Sequence, residues 1–211
     1  EAARQAGAKG VRGPLWVAGS VGPYGAMLAD GSEYRGDYDP GDAVLEAFHR
    51  PRIEALVAGG VDLLAVETIP TLREARVLAR LLDEVSVPAW ISYSCRDGET
   101  TSAGEPFAEA VAVASAARNV VAVGVNCTAP HHARALLKIA RASTRLPLVA
   151  YPNRGDTWDP DSRSWRGDRA GSWEPAVVAS WKVLGAEWLG GCCGTGPSDI
   201  ERLAAALSAV G

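Results

Sequence analysis

The sequence predicts an α/β fold of the (β/α)8, TIM-barrel type with two of its β/α units missing, and three observations carry that expectation. Strand and helix patterns alternate along the 211 residues. The strand segments are near-continuous apolar runs, the pattern of a parallel sheet whose faces are covered by helices. Finally, Ser20, Glu67, Cys127, Asn153 and the pair Cys192-Cys193 all fall just after strand segments, where a barrel would gather them at one mouth. An open doubly wound sheet would spread such positions along an edge instead. Residues 1–211 are read as one domain, because this length and a hydrophobic content of 47% suit a single large core.

Taken in order, residues 1–9 read as the tail of a helix that Gly10 and Gly13-Pro14 end. Residues 15–21 are an apolar run bounded by turn residues, the first strand. A long segment follows, residues 22–38, rich in glycine, tyrosine and acidic side chains; loops of this length tend to be functional or disordered, and the tyrosines argue for order. Residues 42–58 carry Val44, Leu45, Phe48, Ile53, Leu56 and Val57 at helical spacing. Pro51 is expected to kink that helix or to start a new one. Residues 61–66 form the second strand, with Glu67-Thr68-Ile69-Pro70 at its C-terminal end, and residues 72–82 the next helix. The alternation continues with a strand at 88–94, a helix at 106–118, a strand at 120–125, a helix at 131–141 and a strand at 146–151. A polar loop, 153–172, carries Trp158 and Trp165. A helix at 173–184 and a short strand at 187–189 lead to a final helix. Ser198 and Glu201 read as a capping box at its start, with Ile200, Leu203, Ala204 and Leu207 on one face.

The charge balance narrows the possible ligands. A net charge of -4 without any Lys/Arg block excludes a nucleic-acid or anionic-membrane surface, which needs clustered positive charge. Small molecules are the expected partners. No apolar run approaches the roughly 20 residues that span a bilayer, and the first residues lack a signal-peptide pattern, which points to the cytoplasm. Four cysteines are too few for a disulfide framework in a chain of this size.

Three of those cysteines stand out by position. Gly190-Gly191-Cys192-Cys193-Gly194-Thr195-Gly196 places adjacent thiols between glycines. On a regular strand neighbouring side chains point to opposite faces, so the backbone must leave the strand for both to reach one atom. Glycine permits that departure. Cys127 ends another apolar run, Val123-Gly124-Val125-Asn126-Cys127. Three thiols at strand ends are what a zinc site with an open fourth position needs, although a free cysteine also serves as a small buried residue, and position alone leaves both readings open. Cys95 has no partner nearby in sequence and reads as structural. His49, and His131-His132 behind Pro130, read as exposed or capping groups rather than metal ligands.

These stretches resemble a known family. Gly19-Ser20-Val21-Gly22-Pro23-Tyr24-Gly25 with Asp30-Gly31-Ser32-Glu33-Tyr34-Arg35-Gly36-Asp37-Tyr38, then Glu67-Thr68-Ile69-Pro70, Gly124-Val125-Asn126-Cys127, Tyr151-Pro152-Asn153 and Gly190-Gly191-Cys192-Cys193-Gly194 are similar to the homocysteine S-methyltransferases. The first loop most resembles the branch that uses S-methylmethionine, and in some members S-adenosylmethionine. The resemblance implies a zinc-dependent barrel that makes methionine from homocysteine, with Cys127, Cys192 and Cys193 as the Zn2+ ligands. It further implies that Glu67 holds the amino-acid end of homocysteine and that Asn126 belongs to the substrate site beside the metal. Family members begin with two further strands, so the missing units are expected to be the first two. Because the donor is a cation, Tyr24, Glu33, Tyr34 and Trp158 are candidates for holding it. A zinc hydrolase and a catalytically inactive zinc- or homocysteine-binding remnant are the alternative expectations.

Overall fold

The sheet of this protein is wound in sequence order, and that order identifies the architecture. A computed structural model describes residues 15–155, 157–159, 164–166 and 174–210. The expected helical tail at 1–9, residue Trp173 and the side chains of Trp158 and Trp165 lie outside them. Strands β1 (Ala18–Val21), β2 (Leu63–Ile69), β3 (Ala89–Tyr93), β4 (Val120–Asn126) and β5 (Leu148–Tyr151) each pair in parallel with the next. The expected polar loop contains a short antiparallel hairpin of β6 (Thr157–Asp159) and β7 (Ser164–Arg166). Strand β8 (Ala186–Leu189) then pairs in parallel with β5, giving a six-stranded sheet in the order β1-β2-β3-β4-β5-β8. The order never reverses, as it would at the switch point of a doubly wound sheet, so this is the wall of a (β/α)8-type barrel.

Helices α1 (Tyr24–Leu28), α2 (Asp42–Ala58), α3 (Leu72–Leu82), α4 (Phe107–Ser115), α5 (Pro130–Ser143), α6 (Pro175–Val183) and α7 (Pro197–Val210) complete the alternation. The core lies between sheet and helices: Leu64, Val66, Ile91, Tyr93, Val123 and Leu148 are buried with Leu78, Leu82, Val111, Leu136 and Leu137. Apolar residues at helical spacing produce that layer. In α3 they form one face, and the helix is capped by the Thr71 hydroxyl, which accepts the Glu74 N–H at 3.2 Å. No helix among the described residues is long and apolar enough to cross a membrane.

Four local expectations are corrected. α2 continues through Pro51, which therefore starts no new helix. Pro51 and Ala47, whose carbonyl loses its partner there, both face solvent, so water can take the missing bond. Val44 is 45% exposed and takes no part in the core face of α2. His49, expected at the surface, is fully buried. At α7 the helix starts at Pro197 and the reach-back acid is Asp199, whose Oδ2 accepts the Gly196 N–H at 2.8 Å. The Ser198–Glu201 pair is thereby displaced, and Leu203 and Ala206, not Ile200 and Ala204, are the buried apolar residues among those described in that helix. The segment 22–38 also has structure of its own, with α1 followed by a 3-10 turn at Ser32–Tyr34.

Candidate metal centre

Cys127 follows the last residue of β4 in a left-handed conformation, with φ 45. A non-glycine residue enters that region only when its surroundings hold it there. The twist takes the thiol off the alternation of the strand. Beyond β8 the chain stays tied to the β5 side by hydrogen bonds from Gly190 N to Ala150 O (3.1 Å), Cys192 N to Pro152 O (3.0 Å) and Arg154 N to Cys193 O (3.0 Å). It then turns at Gly194, φ 80, with Thr195 N bonded back to Cys192 O at 3.1 Å. This turn is the departure from strand geometry that adjacent thiols require.

The three Sγ atoms lie within 4.8 Å of one another. Cys127 Sγ is 2.8 Å from Cys192 Sγ and 3.8 Å from Cys193 Sγ. Bonds of ~2.3 Å in a tetrahedron separate two sulfurs by ~3.8 Å, so the Cys127–Cys193 spacing already suits a shared zinc ion. Hydrogen bonding from Cys127 and Cys192, with a further contribution from Tyr34, pulls the Cys193 thiol down to about 2, while hydrogen bonding with Cys192 and Cys193 pushes Cys127 upward and Cys192 is raised as well. Negative charge is thus favoured on Cys193 alone of the three. Cys95 stands apart, with its backbone N–H on Thr128 Oγ1 at 3.0 Å and its thiol raised by burial, as a structural residue would be.

A polar network runs from the thiols to Glu67. Asn126 is fully buried; its Nδ2 donates to Thr68 Oγ1 at 2.7 Å and approaches Cys192 Sγ at 3.9 Å. Its Oδ1 accepts the Thr68 N–H and the Ser92 hydroxyl, both at 2.8 Å. These bonds hold Thr68 at φ 64, and the β2–β3 register shifts between Val66 and Ile69. Such an irregularity re-aims the side chains around it. Glu67, inside it, accepts the Ser20 hydroxyl at 2.6 Å and the Tyr151 phenol at 2.9 Å. Tyr151 is itself contacted by Trp90 Nε1 at 2.8 Å and Ser92 Oγ at 2.6 Å. Burial, then the Glu67 charge, raises the Tyr151 phenol well above its ordinary value, so it remains a donor.

Sequence reasoning placed Glu67, Asn126 and the cysteines near strand ends, and the structure brings all five into this connected group. It missed Ser92, Trp90 and the bonding role of Tyr151, which no local pattern marks. Among the residues suggested for a cation, Tyr34 brings its hydroxyl to 3.9 Å from Cys193 Sγ. Glu33, beside it, has a buried Oε2 without a hydrogen-bond partner. Asn153 Oδ1, two residues past β5, is likewise buried and unpartnered. Tyr24 instead packs its ring against Tyr38 and Phe48, at 5.8 and 5.2 Å between centroids.

Known proteins repeat this arrangement of chain. The family model described as homocysteine S-methyltransferase matches residues 1–207. The homocysteine S-methyltransferase of Escherichia coli (strain K12) is 46% identical over 196 residues, which cover 92% of this chain and 63% of that protein. Homocysteine S-methyltransferase YbgG of Bacillus subtilis (strain 168) is 43% identical over 190 residues, 90% of this chain and 60% of the relative. The crystal structure of the homocysteine methyltransferase MmuM from Escherichia coli in its metallated form superposes with a TM-score of 0.81 at 43% identity, over 97% of this chain and 65% of that one. The chain therefore spans about three fifths of the length of the curated relatives it matches. With a match over nearly its whole length, the chain belongs to the homocysteine S-methyltransferase family.

Proposed function

We propose that this chain carries the centre of a methyl transfer from a sulfonium donor, S-methylmethionine or S-adenosylmethionine, to the sulfur of homocysteine, giving methionine. The observation that carries the reading is the convergence of Cys127, Cys192 and Cys193 within 4.8 Å from two distant segments. Their convergence, the 3.8 Å Cys127–Cys193 separation and their soft thiolate chemistry fit Zn2+, with a fourth position left for substrate. When bound there, zinc lowers the pKa of an incoming thiol so that the nucleophilic thiolate exists at neutral pH.

The chain's own residues supply position. Glu67 uses one lone pair on each oxygen for Ser20 and Tyr151, which fixes the carboxylate and leaves capacity for the ammonium of homocysteine. Asn126 serves the same subsite by holding Thr68 and facing Cys192. Beside Cys193 the Tyr34 ring, and the unpartnered Glu33 oxygen next to it in the chain, are the groups to meet a cationic donor. Alignment of donor methyl and acceptor sulfur is the main protein contribution to such a displacement. Free thiols at all four cysteines suit a cytoplasmic location, where they stay reduced.

Methionine formation should be followed from homocysteine with S-methylmethionine, S-adenosylmethionine and betaine in parallel, alongside the zinc content of the same sample. Turnover with a sulfonium and one equivalent of zinc is expected. Zinc without turnover of any donor would assign a binding protein instead, and hydrolysis without methyl transfer a zinc hydrolase.

A further inference from the structure

Away from the cysteines lies a second polar cluster that methyl transfer does not use. Glu74, in the first turn of α3, is fully buried. Its Oε1 accepts the Tyr24 backbone N–H at 2.6 Å and contacts Nε2 of the fully buried His49 at 2.7 Å. Its Oε2 accepts the Tyr38 phenol. With its proton on Nε2 the His49 ring donates to the carboxylate, so all three partners are donors. Removing a carboxylate from water is costly, and three convergent donors are what keep it there.

Those donors share one geometric property. Tyr24 stands at the start of the 22–38 segment and Tyr38 at its end, while His49 comes from α2. Between the two anchors the chain passes through the Ser32–Tyr34 turn, which carries the unpartnered Glu33 oxygen and sets the Tyr34 hydroxyl 3.9 Å from Cys193 Sγ. The closure is tight. A Cβ on Gly25 would lie 2.5 Å from Tyr38 Cε1, and one on Gly36, at φ +66, would lie 2.8 Å from Ala103 Cβ. A segment tied at one end could swing its tip away from the thiols; ties at both ends to one carboxylate restrain that swing.

We propose that Glu74 is a positioning residue: through Tyr24 and Tyr38 it clamps both ends of the 22–38 segment, with His49 of α2 as its third donor, and so holds Tyr34, and Glu33 next to it in the chain, as the wall that receives the cationic donor beside the cysteine cluster. The inference rests on the methyl-transfer reading for the identity of the ligand, but the clamp itself rests only on contacts within this chain.

The test uses the zinc-loaded chain with Tyr38→Phe, which deletes one donor and keeps the ring, and Glu74→Gln, which keeps the volume and deletes the charge. Homocysteine and sulfonium are varied separately. The donor KM should rise about tenfold, the scale of one lost charge-assisted hydrogen bond, with homocysteine KM and zinc stoichiometry unchanged. An unchanged donor KM, or an equal rise in both constants, overturns the proposal. If Glu74→Gln does not fold, Tyr38→Phe carries the test alone. If the unaltered chain turns over no donor, the methyl-transfer reading fails, and hydrogen–deuterium exchange judges the clamp. Amides of residues 24–36 should then exchange several-fold faster in the variants, and equal exchange overturns it.

Discussion

Cys127 and Thr68 are the two non-glycine residues at which a backbone held at positive φ shapes the candidate site, one placing a thiol and the other setting the strand irregularity that aims Glu67. Cys193→Ser should therefore lose bound zinc and methyl transfer together, since a hydroxyl is a poor zinc ligand beside two thiolates. Elemental analysis showing one retained equivalent of metal would contradict the assignment. Glu67→Gln keeps the side chain's shape but removes the charge that would meet an ammonium and turns one of the two acceptor oxygens into a donor. Homocysteine KM should rise about tenfold or more at constant zinc content, and an unchanged KM would remove Glu67 from the subsite. The cysteines were legible because two adjacent thiols between glycines have few structural uses. Ser92 was not, because its bond to Asn126 joins positions 34 apart, and only folded geometry brings them together.

At the scale of elements, apolar periodicity located every strand of the main sheet, and α3 begins and ends at Leu72 and Leu82 as the pattern predicts. Its boundaries were readable because Thr71 supplies a cap and the apolar stripe ends with it. The start of α7 lies two residues before the Ser198–Glu201 expectation because Pro197 suits a first turn and Asp199, not Glu201, reaches back. Asp199 is held below the usual carboxylate range, first by the Gly196 N–H and further by Arg202. A depressed folded-state pKa stabilises above the unfolded pKa of ~3.9 and is lost as pH falls through the folded value. Asp199→Asn should thus cost about 1 kcal/mol near neutrality and show less of the acid-side loss, as urea melts across pH 2–7 would read. In β4, a Cβ at Gly124 would lie 1.8 Å from Val149 O on β5. Gly124→Ala is expected to force those strands apart and cost more than about 2 kcal/mol in a denaturant melt. An ordinary midpoint would mean that the strands yield without loss.

For the molecule as a whole, strand order was the readable property, since six apolar runs separated by helices leave a parallel sheet as the economical solution. The β6–β7 hairpin was not readable in a segment so polar and so rich in turn residues. Metal should report on the assembled sheet. At a hundred times its dissociation constant, an ion that binds only the folded chain adds about 2.7 kcal/mol, or roughly 5–10 °C in Tm at this size. Calorimetry with zinc and with a chelator would show that difference, and coincident curves would argue against a site formed by folding.

The span between Cys127 and Cys192 gives that ion a mechanical meaning. Sulfurs 65 positions apart would be riveted into a ring that encloses α5, β5, the hairpin, α6 and β8. The β5–β8 seam is the hinge of that ring, so any fluctuation that unzips the last strand pulls the vicinal pair away from Cys127. Loss of the ion and fraying of the final arc of the sheet would then be one event seen from two sides.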